Sequence, residues 1–264
     1  MNTSRNQVLC FLSMLLMTVS CSTGNRVSEQ VELSQIQSEG NLESVPLHER
    51  SLPIAKELIG LTTPDGENLA YTADARADLL PLLSFFQWQQ TTTFCGIASA
   101  VTVLNALKIL APIAAQYNYR VFTQDNFLQP AGQKIARREQ IQREGLTLSQ
   151  LGSLLSSHGA KVQVFPSNTT TFEQFKEMAI QNLKNKNDAI IVNYNRQTAF
   201  QQGGGHHSPL AAYHSKSDRF LILDVAQHKY EPVWIRSLDL WNAMHTTDST
   251  DSSIWRGFLL VSKN

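Results

Sequence analysis

From residue 52 onward, apolar and polar positions recur regularly, and the period changes along the chain. Residues 66–86 follow a helical pattern, with a break expected near Pro81. Over 96–110, Ile97, Val101, Leu104 and Leu107 recur at three- and four-residue spacing, the stripe of a helix limited by Pro112. Thr147-Leu148-Ser149-Gln150 has the form of a capping box, opening a helix that runs to His158 and stops at Gly159. A strand is expected over 161–165, an amphipathic helix over 172–183 and a strand over 189–194. Residues 206–213 and 220–225 read as two strands joined by a polar turn at 215–218. A short helix over 238–244 precedes a last strand over 256–262. Helices gather in the first half and strands in the second, which predicts an α+β fold with an antiparallel sheet.

The segment ahead of this region has a different character. Arg5 is followed by an apolar run of about ten residues (8–17), ending in Thr18-Val19-Ser20-Cys21. A bilayer-spanning helix needs about 20 apolar residues, so the run has the length of a signal-peptide core. Small residues before a cysteine resemble a bacterial lipoprotein signal, although Thr18 stands where Leu is usual. The expectation is a signal peptide over 1–20, lipidation at Cys21, a polar tether over 21–50 and one domain over 51–264. An ordinary secretory signal is the alternative. The expected location is the periplasmic side of a bacterial envelope, lipid-anchored, with Ser22 pointing to the outer membrane.

The chain of 264 residues carries 22 Lys+Arg against 22 Asp+Glu, so nothing in its net charge calls for a nucleic-acid partner. Three cysteines (Cys10, Cys21, Cys95) are too few for a disulfide scaffold or a Cys-rich metal site. Signal removal would take Cys10, and lipid would consume Cys21. Cys95 is then a free thiol in an exported protein, where a reactive role is one explanation and a buried, inert cysteine the other.

Cys95 opens the expected helix at 96–110, where unpaired N–H groups and the helix dipole favour a thiolate. A thiolate nucleophile wants an imidazole and a group to orient it. His206 opens one strand and Asp224 closes the next; paired as a hairpin, they share one open end. A helix-borne Cys facing a strand-borne His and Asp is a papain-like order. A turn histidine and a strand-end cap would account for the last two equally well. Gln89, six residues before Cys95, could donate to an oxyanion together with the Cys95 N–H, or be an ordinary loop glutamine.

Three ordered blocks carry a family resemblance. Phe86-Gln87-Trp88-Gln89, Phe94-Cys95-Gly96-Ile97-Ala98 and Val103-Leu104-Asn105-Ala106-Leu107 resemble the catalytic segment of phytochelatin synthases. The run from Gln201 through Gly203-Gly204-Gly205-His206-His207-Ser208-Pro209 to Tyr213-His214 is similar to that family's Gln-Thr-Gly-x-Gly-His-Phe-Ser-Pro pattern. Leu221-Ile222-Leu223-Asp224-Val225-Ala226 with Lys229, Tyr230, Pro232 and Trp234 matches a third block.

The resemblance implies a papain-like fold with Cys95 as nucleophile, His206 as general acid/base, Asp224 as its orienting carboxylate and Gln89 in the oxyanion hole. His207 stands where the family has Phe, which implies a packing role. Arg196, Gly205, Lys229 and Tyr230 are the expected substrate-binding residues. The implied reaction is attack on the Cys–Gly amide of glutathione, release of glycine, and transfer of γ-glutamylcysteine to water or to a second glutathione, linked to heavy-metal detoxification or thiol metabolism. No tightly bound cofactor is expected; cadmium or zinc enters as a glutathione thiolate. The histidines lack HxxxH or HExxH spacing, so no metal-ligating set is expected. Expected partners are glutathione and, through the anchor, the membrane; a homodimer is compatible with the reading.

Two departures weigh toward hydrolysis over phytochelatin synthesis. Gln227 stands where the family often has Arg, and the chain ends at Asn264, without the Cys-rich region of the plant enzymes. Thr91-Thr92-Thr93 also replaces the family's usual Ser-Glu-Pro-Ala. The competing readings are a papain-like peptidase acting on other envelope peptides and a non-enzymatic lipoprotein binding thiols or metals.

Overall fold

A computed structural model describes residues 52–128 and 130–263. The expected signal peptide, Cys21 and the tether lie outside the described residues. The elements run in the order β1 (Ile59–Gly60), α1 (Pro64–Thr72), α2 (Leu79–Ser84), α3 (Cys95–Ala106), β2 (Ile113–Ala114), β3 (Tyr119–Arg120), α4 (Gln124–Phe127), α5 (Pro130–Gln133), α6 (Arg138–Glu144) and α7 (Leu148–Ser157). There follow β4 (Ala160–Pro166), α8 (Phe172–Lys184), β5 (Asp188–Asn195), β6 (Gly205–His214), β7 (Arg219–Ile222), β8 (Val233–Arg236), α9 (Ser237–Met244) and β9 (Gly257–Lys263). Seven strands form one sheet in the order β1-β8-β7-β6-β5-β9-β4, antiparallel at every pairing, so the expected α+β class with an antiparallel sheet is what the chain adopts.

Strand alternation sorts the core into two faces. Ala189 and Ile191 of β5 join Ala211, Val101, Leu104 and Leu151, under α3 and α7. Ile190, Val192 and Tyr194 point the other way and join Phe175, Phe220, Trp241 and Phe258, under α8 and α9. The sheet is thus buried on both sides, which fixes β6, the strand that carries the two histidines, in one register: Asn193 opposite His207 and Tyr194 opposite His206.

Local chemistry explains where elements start and stop. Thr147 accepts from the Gln150 N–H while Gln150 returns a bond to the Thr147 N–H, the reciprocal box that opens α7. Gly159 ends that helix at φ 86. The helical stretch expected over 66–86 is interrupted at 73–78 rather than at Pro81. Ala75 there pairs with Tyr213 through both backbone groups, and Pro81 sits in the first turn of α2, where its missing N–H costs nothing. α3 ends at Ala106, earlier than the expected 110, because Lys108 turns left-handed at φ 54 and the Ile109 N–H folds back to the Leu104 carbonyl. The strand expected over 220–225 stops at Ile222. The Leu223 N–H still reaches the Pro209 carbonyl, and the chain then turns away at Asp224.

Candidate active site

Cys95 is the first residue of α3 and is buried. Phe94 precedes it without a side-chain cap, and the first helical bond is Ala98 N–H to the Phe94 carbonyl. The N–H groups of Cys95, Gly96 and Ile97 therefore have no partner within the helix, and their dipoles converge on the sulfur's end.

β6 starts at Gly205 and brings His206 beside the turn after β7. His206 Nε2 lies 2.9 Å from Asp224 Oδ1, as the hairpin geometry implied. That bond leaves Nδ1 as the ring nitrogen free to exchange a proton with a reacting group. Asp224 is fully buried and also accepts the Ala226 N–H at 2.9 Å. Both terminal nitrogens of Arg196 bind it at 2.8 Å, a buried fork on a carboxylate. Burial alone would push Asp224 up; the charges of His206 and Arg196 and their hydrogen bonds instead hold it far below the usual carboxylate range.

The same balance sets the other two groups. Burial and the Arg196 charge would lower His206; Asp224 and the Cys95 thiolate outweigh them and raise it. Burial would raise Cys95; the His206 charge and hydrogen bond, then His207, hold the thiol well below its ordinary value. Both shifts run toward a thiolate beside an imidazolium, the direction that activates a cysteine nucleophile.

His207 corrects an expectation. It does not pack as a Phe would: its Nδ1 lies 3.9 Å from Cys95 Sγ, and its Nε2 takes the Asn193 side-chain amide at 2.7 Å.

Gln89 is held next to the site by its own N–H on the Val225 carbonyl. Its Nε2 donates to the Thr91 carbonyl at 2.9 Å, which leaves the second amide hydrogen unspent.

Arg196 was expected to reach substrate, but it is buried and its fork is occupied by Asp224 and by Gln201 at 2.6 Å. Tyr230 is likewise committed: its ring lies under the Arg196 guanidinium, and its hydroxyl accepts the Gln202 N–H at 2.7 Å. Lys229 is half-buried near Gly203, whose φ of 127 and close approach to the Arg196 stem leave no room for a side chain. Gly205 is tight for another reason: a Cβ there would come within 2.8 Å of Arg256 Nη2.

Sequence reasoning missed Arg256. It is 1% exposed, and Nη1 binds the Thr247 carbonyl and Thr246 Oγ1, while Nε and Nη2 have no partner among the described residues. Two nitrogens of a buried guanidinium beside the strand that carries His206 are thus left without a protein partner among the described residues. Nothing in the pattern around Trp255-Arg256-Gly257 distinguishes it from a surface arginine at a strand start.

Comparison with known proteins gives this geometry a family. The phytochelatin synthase family model matches residues 47–258. The chain belongs to the phytochelatin synthase family. It is 32% identical over 223 residues to glutathione gamma-glutamylcysteinyltransferase 3 of Lotus japonicus, covering 83% of this chain and 45% of that protein. It is 33% identical over 225 residues to the Triticum aestivum enzyme 1, covering 84% and 44%. With enzyme 2 of Arabidopsis thaliana the identity is 36% over 184 residues, 69% of this chain and 39% of that one. The chain thus spans about half the length, or less, of the curated relatives it matches. Among solved structures, the cysteine protease xylellain from Xylella fastidiosa aligns with a TM-score of 0.30 at 10% identity, covering 81% of this chain and 91% of that one, a likeness too slight to argue from.

Proposed function

We propose that the protein is a glutathione γ-glutamylcysteinyl transferase or hydrolase acting through Cys95. The observation that carries this reading is the buried His206–Asp224 pair, Nε2 at 2.9 Å from the carboxylate, whose imidazole charge and hydrogen bond act on the Cys95 thiol. The Cys95 thiolate attacks the carbonyl carbon of the Cys–Gly amide. The resulting oxyanion takes the Cys95 N–H and the spare Gln89 Nε2 hydrogen. His206 gives its Nδ1 proton to the departing glycine nitrogen, and the C–N bond breaks, leaving a γ-glutamylcysteinyl thioester. Water or the amine of a second glutathione then attacks the thioester, His206 accepts the proton, and the thiolate returns.

Arg256, rather than Arg196, is the cation with donors to spare, and it takes a carboxylate of glutathione. Lys229 stands near enough to the Gly203 turn to take a second. Gln227 puts a neutral amide where the family often has Arg, removing a cation able to hold a carboxylate of the second glutathione, so hydrolysis to γ-glutamylcysteine exceeds phytochelatin synthesis. Cadmium or zinc acts as part of the glutathione thiolate substrate. Anchoring through lipid at Cys21 would place this chemistry in the cell envelope.

The test is a product assay with reduced glutathione, with and without cadmium, alongside Cys95→Ser. Glycine and γ-glutamylcysteine in excess over phytochelatin, both absent from the variant, are expected. No glutathione turnover by folded protein, or turnover of unrelated peptides instead, would overturn the reading.

A further inference from the structure

The nucleophile has two imidazoles, and only one belongs to the Cys–His–Asp line. His207 follows His206 on β6 but points to the opposite side of the strand, against α3: a Cβ on Gly96 would lie 3.6 Å from its Nδ1, and Ser99 Oγ donates to its carbonyl at 3.1 Å. It is 2% exposed, and its Nδ1 is the ring atom nearest the Cys95 sulfur, at 3.9 Å. The other ring nitrogen is fixed by a cross-strand partner, since Asn193 sits opposite His207 in the sheet and its Nδ2 approaches Nε2 at 2.7 Å. An amide N–H donated to Nε2 makes that nitrogen the acceptor, so in the neutral ring the proton sits on Nδ1 and faces the sulfur.

We infer that His207, held by Asn193, is a positioning residue that donates a fixed Nδ1 hydrogen bond to the Cys95 thiolate, beside the acid/base His206. The two rings divide the work. His206 exchanges its proton, with Asp224 to stabilise the imidazolium. His207 has an amide partner in place of a carboxylate, and its Nδ1–H holds the sulfur in one rotamer and favours its anionic form. It cannot replace His206 as a base, because the nitrogen that meets the sulfur already carries hydrogen. The inference rests on the reading of Cys95 as the nucleophile, but not on the identity of the substrate.

The titratable and charged groups around the sulfur are His206 and His207 from β6, Tyr194 from β5 and Arg196 from the turn after β5, with Asp224 reached through His206. His206, Tyr194, Arg196 and Asp224 are present in all four proteins of the test. A hydrogen bond to a charged group is worth enough to move a pKa by about one unit or more.

The experiment follows the pH dependence of Cys95 alkylation by iodoacetamide in the whole protein, read by mass, for wild type, His207→Phe, His207→Asn and Asn193→Leu. Alkylation reports thiolate without any substrate, so failure here and failure of the glutathione reading are distinguishable. His207→Phe, which installs the residue of the resembling enzymes, is expected to move the alkylation midpoint up by about one pH unit or more. His207→Asn, whose Nδ2 can overlay the lost Nδ1, is expected to recover most of that shift, and Asn193→Leu to reproduce part of it. A His207→Phe profile superimposed on wild type, from protein with a wild-type thermal transition, would overturn the inference. So would a shift that His207→Asn leaves uncorrected, because a merely structural ring would give that result.

Discussion

Replacing Arg196 with Met tests the electrostatics of the site most severely, because two of its consequences pull in opposite directions. The side chain is 3% exposed and its fork makes both 2.8 Å bonds to Asp224. Removing one member of a buried ion pair costs about 3–5 kcal/mol, since the remaining charge stays buried. Here Asp224 keeps His206 and the Ala226 N–H, so the lower end, about 3 kcal/mol, is expected. For a domain of this size each kcal/mol moves Tm by about 2–4 °C, giving a drop of roughly 6–12 °C. A typical reserve of 5–15 kcal/mol leaves the variant folded at room temperature. The Arg196 charge also lowers His206, so the variant's imidazolium persists to higher pH. Activity on the alkaline side reports loss of that proton, and its midpoint should therefore rise while stability falls. Urea unfolding and a pH–rate profile on glutathione measure the two arms. An unchanged unfolding midpoint, or an alkaline limb that moves down, would refute the reasoning.

Further expectations follow from other groups. Arg256→Met removes the idle donors, so KM for glutathione should rise tenfold or more, while the Cys95 alkylation profile keeps its wild-type midpoint. Gln89→Ala should lower kcat by about 10²–10³ if its amide serves the oxyanion, with KM little changed; equal kcat would exclude that role. Asp78 is 3% exposed, its Oδ2 lacks a partner, and burial followed by the nearby Asp188 charge pushes it up to about 8. Its folded value lies above its unfolded one, so its contribution is intact below about pH 4 and is lost as pH rises to about 8. Asp78→Asn should therefore raise Tm, more at pH 8 than at pH 5, and a uniform shift across pH would show that the charge is not the cause.

The parts of the fold that were legible are those fixed by local chemistry. The Thr147–Gln150 box and the Gly159 stop need only residues within a few positions of each other. The His206–Asp224 contact was also legible, because a short polar turn forces two adjacent strands into a hairpin and so brings its ends together. What stayed hidden depends on partners far apart in sequence. Residues 73–78 look helical until Tyr213 claims the backbone of Ala75. β8 was read as a motif and not as a strand, since its four residues, Val233–Arg236, gain their meaning from pairing with β7 and β1. In the sequence Arg196 reads as a substrate-binding cation and Arg256 as a surface one; only the folded chain shows both buried, one spent on Asp224 and the other with donors to spare. His207 is buried, as the family's Phe position implies, and its imidazole adds contacts to Cys95 and Asn193 that only the folded chain reveals.

The most direct test of the central claim is the intact mass of the protein quenched during turnover of reduced glutathione. The account predicts a gain of one γ-glutamylcysteinyl group, located on the peptide that contains Cys95 and absent from Cys95→Ser. Glutathione cleavage without that adduct, or with an equal adduct in Cys95→Ser, would contradict it.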